Sequence, residues 1–153
     1  MAQRVGIGYD SHRFAEGGRL ILGGVAIPHP VGLQGHSDAD VVTHAVTDAV
    51  LGAAGLGDLG RHFPPSEERW RDADSVELLR TAVAMVSGFV VNADATVICE
   101  EPRLGDHRAE MERILSEAAG GPVSVKATSN EGMGWIGRGE GIACLAIASL
   151  ELD

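Results

Sequence analysis

The chain is short of aromatic residues, of cysteine and of positive charge, and each shortage narrows what it can be. Aromatics make up 4% of the 153 positions, so the core must be built from Val, Leu, Ile and Ala. Hydrophobic residues still reach 44%, inside the globular range, which excludes a disordered chain. Lys and Arg number 12 against 22 Asp and Glu, a formal net charge of -10. That balance argues against a nucleic-acid partner and against an anionic membrane partner. It also means that an anionic substrate needs a local cation, either a metal or a few placed Arg and Lys side chains. The two cysteines, Cys99 and Cys144, lie in apolar strand-like runs. As buried free thiols they indicate a reducing compartment. No apolar run is long enough to span a bilayer, and no basic segment followed by an apolar one opens the chain. The expected location is therefore cytoplasmic. Repeats, low-complexity tracts and long linkers are missing as well, so one domain over residues 1–153 is expected.

The hydrophobic patterning predicts an element order β-β-α-α-β-α-β-β, an α/β sandwich of a mixed sheet with helices on one face. Strands are expected at Arg4 to Tyr9, at Leu20 to Leu22 and Val25 to Ile27, within 89–101, at Val123 to Thr128 and at Ile142 to Leu152. Helices are expected from Ser37, from Asp74-Ser75 and over 106–119. Residues 58–65 read as loop, and 66–72 as an exposed polar stretch. The first helix is the most informative. Ser37 followed by Asp40 has the spacing of a capping box. Val41, Val42, Ala45, Val46, Ala49 and Val50 bury one side. Asp40, His44 and Asp48 share another stripe, which places His44 like a metal ligand supported by carboxylates. A capped amphipathic helix with a polar edge accounts for the same spacing. His36 stands just before the helix, beside N–H groups that favour anions.

Asp10 and His12 close the first strand two residues apart, so in extended chain they point to the same side. With His44 they form an Asp-His-His set. Three protein ligands with one open position suit a catalytic zinc, whereas a structural zinc would use cysteine, and both cysteines are badly placed. A turn-capping aspartate and two ordinary polar histidines have this spacing too. Further along, Lys126-Ala127-Thr128-Ser129-Asn130-Glu131 closes a strand. Its hydroxyls and N–H groups suit phosphate oxygens, and Glu131 suits Mg²⁺ beside a diphosphate; an ordinary hydroxyl turn is the other reading. The glycine-dense run 132–141 is neither a P-loop nor a dinucleotide fingerprint. Within it, Arg138 and Glu140 are two apart before an apolar strand and should face one common place.

Taken together, the motifs resemble the 2-C-methyl-D-erythritol 2,4-cyclodiphosphate synthase family over essentially the whole chain. The likeness rests on Gly8-Tyr9-Asp10-Ser11-His12, Gly23-Gly24-Val25-x-Ile27-Pro28 and His36-Ser37-Asp38-Ala39-Asp40-Val41-x-x-His44-Ala45-x-x-Asp48-Ala49. It continues in Leu56-Gly57-Asp58-Leu59-Gly60-x-x-Phe63-Pro64, Ala73-Asp74-Ser75, Val125-Lys126-Ala127-Thr128 and Gly137-Arg138-Gly139-Glu140-Gly141-Ile142-Ala143. The resemblance implies one Zn²⁺ per chain on Asp10, His12 and His44, and Mg²⁺ or Mn²⁺ with the substrate diphosphate at Glu131. It implies that His36 and Ser129 support the transition state, with Ser37 adjoining His36. Asp58, Leu59, Gly60 and Phe63 fall in the stretch that contacts ribose and methylerythritol, and Arg103, Leu104 and Gly105 in the cytosine loop. Thr128, Ser129, Asn130 and Glu131 fall on the diphosphate side.

The family's partner is a small cytidine diphosphate substrate, and its assembly is a homotrimer with sheets around the threefold axis. Tyr9, Trp135, Arg138 and Glu140 match positions lining a central cavity where some members hold an isoprenoid diphosphate. This chain departs from the pattern after Phe63-Pro64. Pro65-Ser66-Glu67 stands where the family has Asp-Thr-Asp, so a carboxylate contact to methylerythritol is missing or comes from Ser66 or Glu67. Two other classes compete: a zinc-dependent phosphoester hydrolase built on Asp10, His12 and His44, and a non-catalytic trimeric binding protein.

Overall fold

Glycines 6 and 8 alternate along the first strand, and a helix lies directly on them. In the computed structural model, which describes residues 1–153, the strand β1 (Ala2–Ala15) carries α1 (Val41–Ala53) against its glycine face. A Cβ built on Gly8 would come within 1.9 Å of the Ala45 carbonyl oxygen, and one on Gly6 within 2.1 Å of that of Ala49. Helix backbone therefore rides on strand backbone with no side chain between them.

Between these two elements come β2 (Leu20–Leu22), β3 (Val25–Ile27) and β4 (Gly32–Leu33). After α1 follow α2 (Leu59–His62), a 3-10 turn over Glu68–Trp70, α3 (Ser75–Ala84), β5 (Gly88–Ile98), α4 (Arg108–Ala119), β6 (Val123–Thr128), α5 (Gly134–Gly137) and β7 (Gly141–Leu152). The main sheet has five strands in the order β4-β1-β7-β5-β6, and β2 and β3 pair separately. Only β5 and β6 run parallel, so the sheet is mixed.

Alternation then decides the faces. Ala93, Ala95, Val97, Cys144, Ala146, Ala148 and Leu150 point with Gly6 and Gly8 under the helices and are buried. Their neighbours Val5, Ile7, Tyr9, Leu145 and Ile147 point away and are exposed, Val5 at 71%. β7 thus alternates, although its composition reads as apolar throughout. Val41, Val42, Val46 and Val50 of α1 have no exposed surface; each such side chain contributes about 1.5–3 kcal/mol.

Five elements differ from the sequence expectation. β1 continues past Tyr9 through Asp10, Ser11 and His12, because pairing with β7 persists to Arg13 opposite Gly141. α1 starts at Val41, not near Ser37. Ala39 takes a left-handed conformation (φ 58) that a helix cannot pass through, and Asp40 is the cap, accepting from Thr43 N–H at 3.0 Å. α2 and β4 fall where loop was expected, and the 3-10 turn falls within the exposed polar stretch 66–72. No helix is long and apolar enough to cross a membrane.

Candidate functional site

β1 and α1 meet at the level of Asp10, His12 and His44. Two residues apart on an extended strand, Asp10 and His12 share a side, and the glycine-floored packing of α1 brings its first turn down to them. Asp10 Oδ2 lies 2.8 Å from His12 Nε2 and 3.0 Å from His44 Nδ1. The two histidine nitrogens are 3.4 Å apart. These are the only His, Cys, Asp and Glu side chains that cluster with metal-ligand geometry.

The outer nitrogen of His12 settles which of its two is free. His12 Nδ1 lies 3.0 Å from the Gln34 carbonyl oxygen, which can only accept, so Nδ1 carries the proton and Nε2 keeps a lone pair. His44 turns its Nε2 to the hydroxyls of Ser75 (2.7 Å) and Ser37 (3.0 Å). With His44 Nδ1 unprotonated as well, two lone pairs and a carboxylate oxygen face one point and repel unless a cation sits among them. A four-coordinate zinc with bonds of about 2.0 Å holds its donors roughly 3.3 Å apart, close to the spacing here. The donor set, one oxygen and two imidazole nitrogens, therefore fits a divalent metal. Without a metal, protons take its place. Burial works to raise the pKa of Asp10, but the hydrogen bonds and charges of His12 and His44 outweigh it and lower the value to about 2. Burial likewise works to lower the pKa of His44, yet the Asp10 hydrogen bond and charge leave it raised.

The carboxylates above and below His44 do something other than support it. Asp40 is fully buried and accepts from Gly23 N–H and Gly24 N–H at 2.8 Å each, and from Thr43 N–H and the Thr43 hydroxyl. It ties the β2–β3 turn to the start of α1. Burial pushes its pKa up against those donors. Asp48 accepts from Leu59 N–H at 2.7 Å and so holds the start of α2. Burial, aided by the charges of Asp58 and Asp10, raises its pKa despite that bond. Support for the histidines comes instead from the Gln34 carbonyl, Ser37 and Ser75. Ser75 lies in the Ala73-Asp74-Ser75 motif, which was the only sequence signal for it.

A cavity of about 260 Å³ opens on the triangle. Asp10, His12, His36, Ser37, His44, Leu59, Gly60 and Phe63 line it, and Pro65, Trp70 and Leu78 complete the wall. Asp58 lies in an adjoining cavity of about 220 Å³ with Asp10, His44, Asp48, Leu59 and Gly60, and its carboxylate caps α2 through Arg61 N–H. His36 Nε2 donates to the Glu67 carbonyl at 3.2 Å. Glu67's own carboxylate is taken by Arg69 at 2.6 Å, and Ser66 is exposed outside the cavity, so Pro65 faces the space in their stead.

The remaining candidates lie elsewhere. Asp10, Cys144, Val97 and Ala127 stand side by side across the sheet. Three strand spacings, about 14 Å, thus separate β1 from β6 at the same height. Thr128, Ser129, Asn130 and Glu131 follow at the end of β6, with Ser129 Oγ donating to the Glu131 carboxylate at 3.4 Å. Leu104 and Gly105 line a cavity of about 190 Å³ with Val125, Lys126 and Ala127 of β6, and Arg103 is exposed beside it. Arg138 pairs with Glu140 of its own chain at 2.7 Å, and Trp135 lines a shallow cavity with Ser11, Arg13 and Glu140.

Comparison with known proteins bears on the family and the fold. A family model described as the YgbB family matches residues 3–151. A 2-C-methyl-D-erythritol 2,4-cyclodiphosphate synthase of Rubrobacter xylanophilus is 56% identical over 97% of this chain and 94% of its own. One from Gloeobacter violaceus is 52% identical over the same shares. A solved 2C-methyl-D-erythritol-2,4-cyclodiphosphate synthase in its CDP-bound form superposes with a TM-score of 0.87 at 36% identity, covering 97% of this chain and 100% of that one. The bifunctional IspDF of Campylobacter jejuni gives 0.94 at 37% identity, over 99% of this chain and 43% of the longer one. Matched by the family model over nearly its whole length, and more than half identical to relatives across it, the chain belongs to the YgbB family of 2-C-methyl-D-erythritol 2,4-cyclodiphosphate synthases.

Proposed function

We propose that residues 1–153 form one synthase domain. It converts 4-diphosphocytidyl-2-C-methyl-D-erythritol 2-phosphate to 2-C-methyl-D-erythritol 2,4-cyclodiphosphate and CMP, in non-mevalonate isoprenoid synthesis in the cytoplasm. The observation that carries this reading is the Asp10, His12 and His44 triangle opening on a cavity walled by His36 and Ser37, in a chain 56% identical to a synthase of that name.

The reaction is an intramolecular phosphoryl transfer in which the 2-phosphate attacks the β-phosphorus and CMP leaves. Both reacting groups are anionic, and the chain itself carries -10. Zn²⁺ held by Asp10, His12 and His44, and Mg²⁺ or Mn²⁺ at Glu131, supply when bound the positive charge that draws electron density from the phosphoryl oxygens. His36 and Ser129 donate hydrogen bonds to oxygens that gain charge. Asp58, Leu59, Gly60 and Phe63 hold the sugar parts, with Pro65 giving this chain an apolar wall where relatives have a carboxylate. Arg103, Leu104 and Gly105 hold cytosine, while Thr128 and Asn130 position the diphosphate. Holding both phosphates of one folded substrate in place accounts for much of the rate. No protein nucleophile is needed, in keeping with the burial of Cys99 and Cys144.

Within one chain the Glu131 side lies about 14 Å across the sheet from the triangle. This separation supports a homotrimer in which one subunit's β1 and α1 face the next subunit's β6 and cytosine loop. The exposed apolar face of Val5, Ile7, Tyr9, Leu145 and Ile147 supports the same assembly. Trp135, Arg138 and Glu140 then line a central cavity, where Arg138 offers an isoprenoid diphosphate its cation.

Product analysis in ¹⁸O-labelled water tests the activity. CMP and a cyclic diphosphate free of solvent oxygen are expected. Label in the product would mean a hydrolase, and no turnover with bound substrate would mean a binding protein. Mixing His44→Ala with a cytosine-loop variant should restore part of the activity in exchanged trimers. No recovery after confirmed exchange would place each site within one subunit.

A further inference from the structure

His44 can present Nδ1 to the metal triangle only if its proton stays on Nε2, and the chain contains a device that keeps it there. Ser75 is the first residue of α3 and has no exposed surface. Its hydroxyl sits 2.7 Å from His44 Nε2 on one side and against Asp38 Oδ1 on the other. Asp38 Oδ2 accepts from Ser75 N–H at 3.0 Å, and Asp38 N–H donates to the Ala73 carbonyl at 3.1 Å. Asp38 is thus pinned to the start of α3 by three bonds, two of them from its carboxylate to Ser75 and one from its backbone N–H.

The direction of this chain of bonds follows from the inventory of donors. A carboxylate only accepts, and a serine hydroxyl has one proton. That proton goes to Asp38, so the hydroxyl turns a lone pair to His44, and Nε2 must donate. The Nδ1 lone pair is then left facing Asp10 Oδ2. Ser37 also reaches His44 Nε2, at 3.0 Å, and accepts from Ala39 N–H at 3.3 Å. No carboxylate holds the Ser37 proton, so its hydroxyl follows the ring rather than directing it.

We propose that Ser75 and Asp38 are positioning residues for the metal centre: Asp38 orients the Ser75 hydroxyl, and Ser75 holds His44 in the Nε2–H tautomer that frees Nδ1 for the ion. Neither touches the metal or the substrate cavity. If the hydroxyl turned round and donated to Nε2, the ring proton would move to Nδ1 and point into the triangle. The arrangement is a carboxylate–histidine pair with a serine inserted. It lets an element packed behind α1 govern a ligand on α1.

The proposal rests on the metal reading of Asp10, His12 and His44, and two measurements separate the two. The first is zinc affinity, by competition with a chromophoric chelator. Ser75→Ala and Asp38→Asn should each bind zinc about 10- to 100-fold more weakly than wild type, and Ser37→Ala should change less than either. The second is the tautomer of His44 in the metal-free protein, from ring ¹⁵N shifts and long-range couplings at alkaline pH, where the ring is neutral. Wild type and Ser37→Ala should show Nε2–H, and Asp38→Asn and Ser75→Ala a mixture containing Nδ1–H. An unchanged tautomer in both of these variants overturns the proposal, even if zinc affinity falls, because the residues would then act only on packing. Wild-type zinc affinity in Ser75→Ala overturns it as well. A wild-type protein that binds no divalent ion would reject the metal reading, while the tautomer measurement would still judge the relay.

Discussion

Replacing Gly8 by alanine should open the metal site from beneath. The added Cβ would lie 1.9 Å from the Ala45 carbonyl oxygen and 2.8 Å from Ala49 N, where ordinary contact begins at 3.4 Å. Strand and helix must therefore part by about 1.5 Å, and since both neighbours are backbone atoms, no side chain can swing aside. Overpacking of this kind costs about 1–3 kcal/mol; the rigid neighbours put Gly8→Ala near about 3 kcal/mol. For a chain of this size each kcal/mol shifts the melting temperature by roughly 2–4 °C, so a drop of roughly 6–12 °C is expected. The displacement also carries His44 away from Asp10 and His12, and zinc affinity should fall at least tenfold, about the loss a disturbed ligand support brings. Gly52→Ala is the matched control. Its Cβ would meet nothing closer than the Ile7 carbonyl at 3.8 Å, inside α1. It should be neutral or stabilise by up to about 1 kcal/mol. Thermal melts at one protein concentration and a chelator titration decide the matter. A Gly8→Ala protein that melts within a degree or two of wild type and keeps its zinc would refute the close-packing argument.

Three further outcomes follow from the same geometry. In metal-free protein, the lowered pKa of Asp10 adds stability that is present above its ordinary value of 3.8 and lost as pH falls toward about 2. The raised pKa of His44 adds stability that is complete below 6.5 and lost as pH climbs through the folded value. Melting temperature measured from pH 4 to 9 should therefore decline on the alkaline side, and zinc should abolish that decline; a flat metal-free profile would contradict it. Burial, helped by the charge of Glu100, pushes the Cys99 thiol up to about 11 from an ordinary 9.0. Iodoacetamide at pH 8, followed by mass spectrometry, should label it about 100-fold more slowly than an unperturbed thiol, since each pKa unit is a factor of ten; rapid labelling of native protein would count against its burial. Asp40→Asn turns an amide N–H₂ toward backbone donors and should cost about 1–3 kcal/mol in urea unfolding. A loss under half a kcal/mol would mean that the four bonds contribute little.

Long periodic elements were readable from the sequence because their signals are repeated many times. The valines of α1 and the alternation in β6 each state one pattern over several residues, and Val123–Thr128 appears with the expected ends. The short elements were not. Leu59–His62 is a single turn held by Asp58 and Asp48, and one turn has no period to detect. The start of α1 was misplaced because Ser37 satisfies the same spacing rule as Asp40; only the left-handed Ala39 distinguishes them. Asp10, His12 and His44 were named correctly as a group, since strand parity and a motif both pointed to them. The parts played by Asp40 and Asp48 were not foreseen, because a stripe on a helical wheel does not say whether a carboxylate turns to its neighbour on the helix or to a loop beside it. Ser75 was beyond reach for a related reason: the bond from α3 to α1 depends on how two helices pack, which spacing along the chain does not encode.

The clamp formed by Asp40 bears on how an ion enters and leaves. With four donors on one buried carboxylate, the first turn of α1 cannot fray, and the β2–β3 turn is locked to it. The ligand on that turn is thus in place before any ion arrives. Uptake then requires little ordering of the chain and little change in buried apolar area, so its heat-capacity change should be close to zero, unlike that of a metal-nucleated fold. Exchange becomes a matter of shedding the ion's own water and displacing protons, and its speed is set by the chemistry of the ion rather than by motion of the protein.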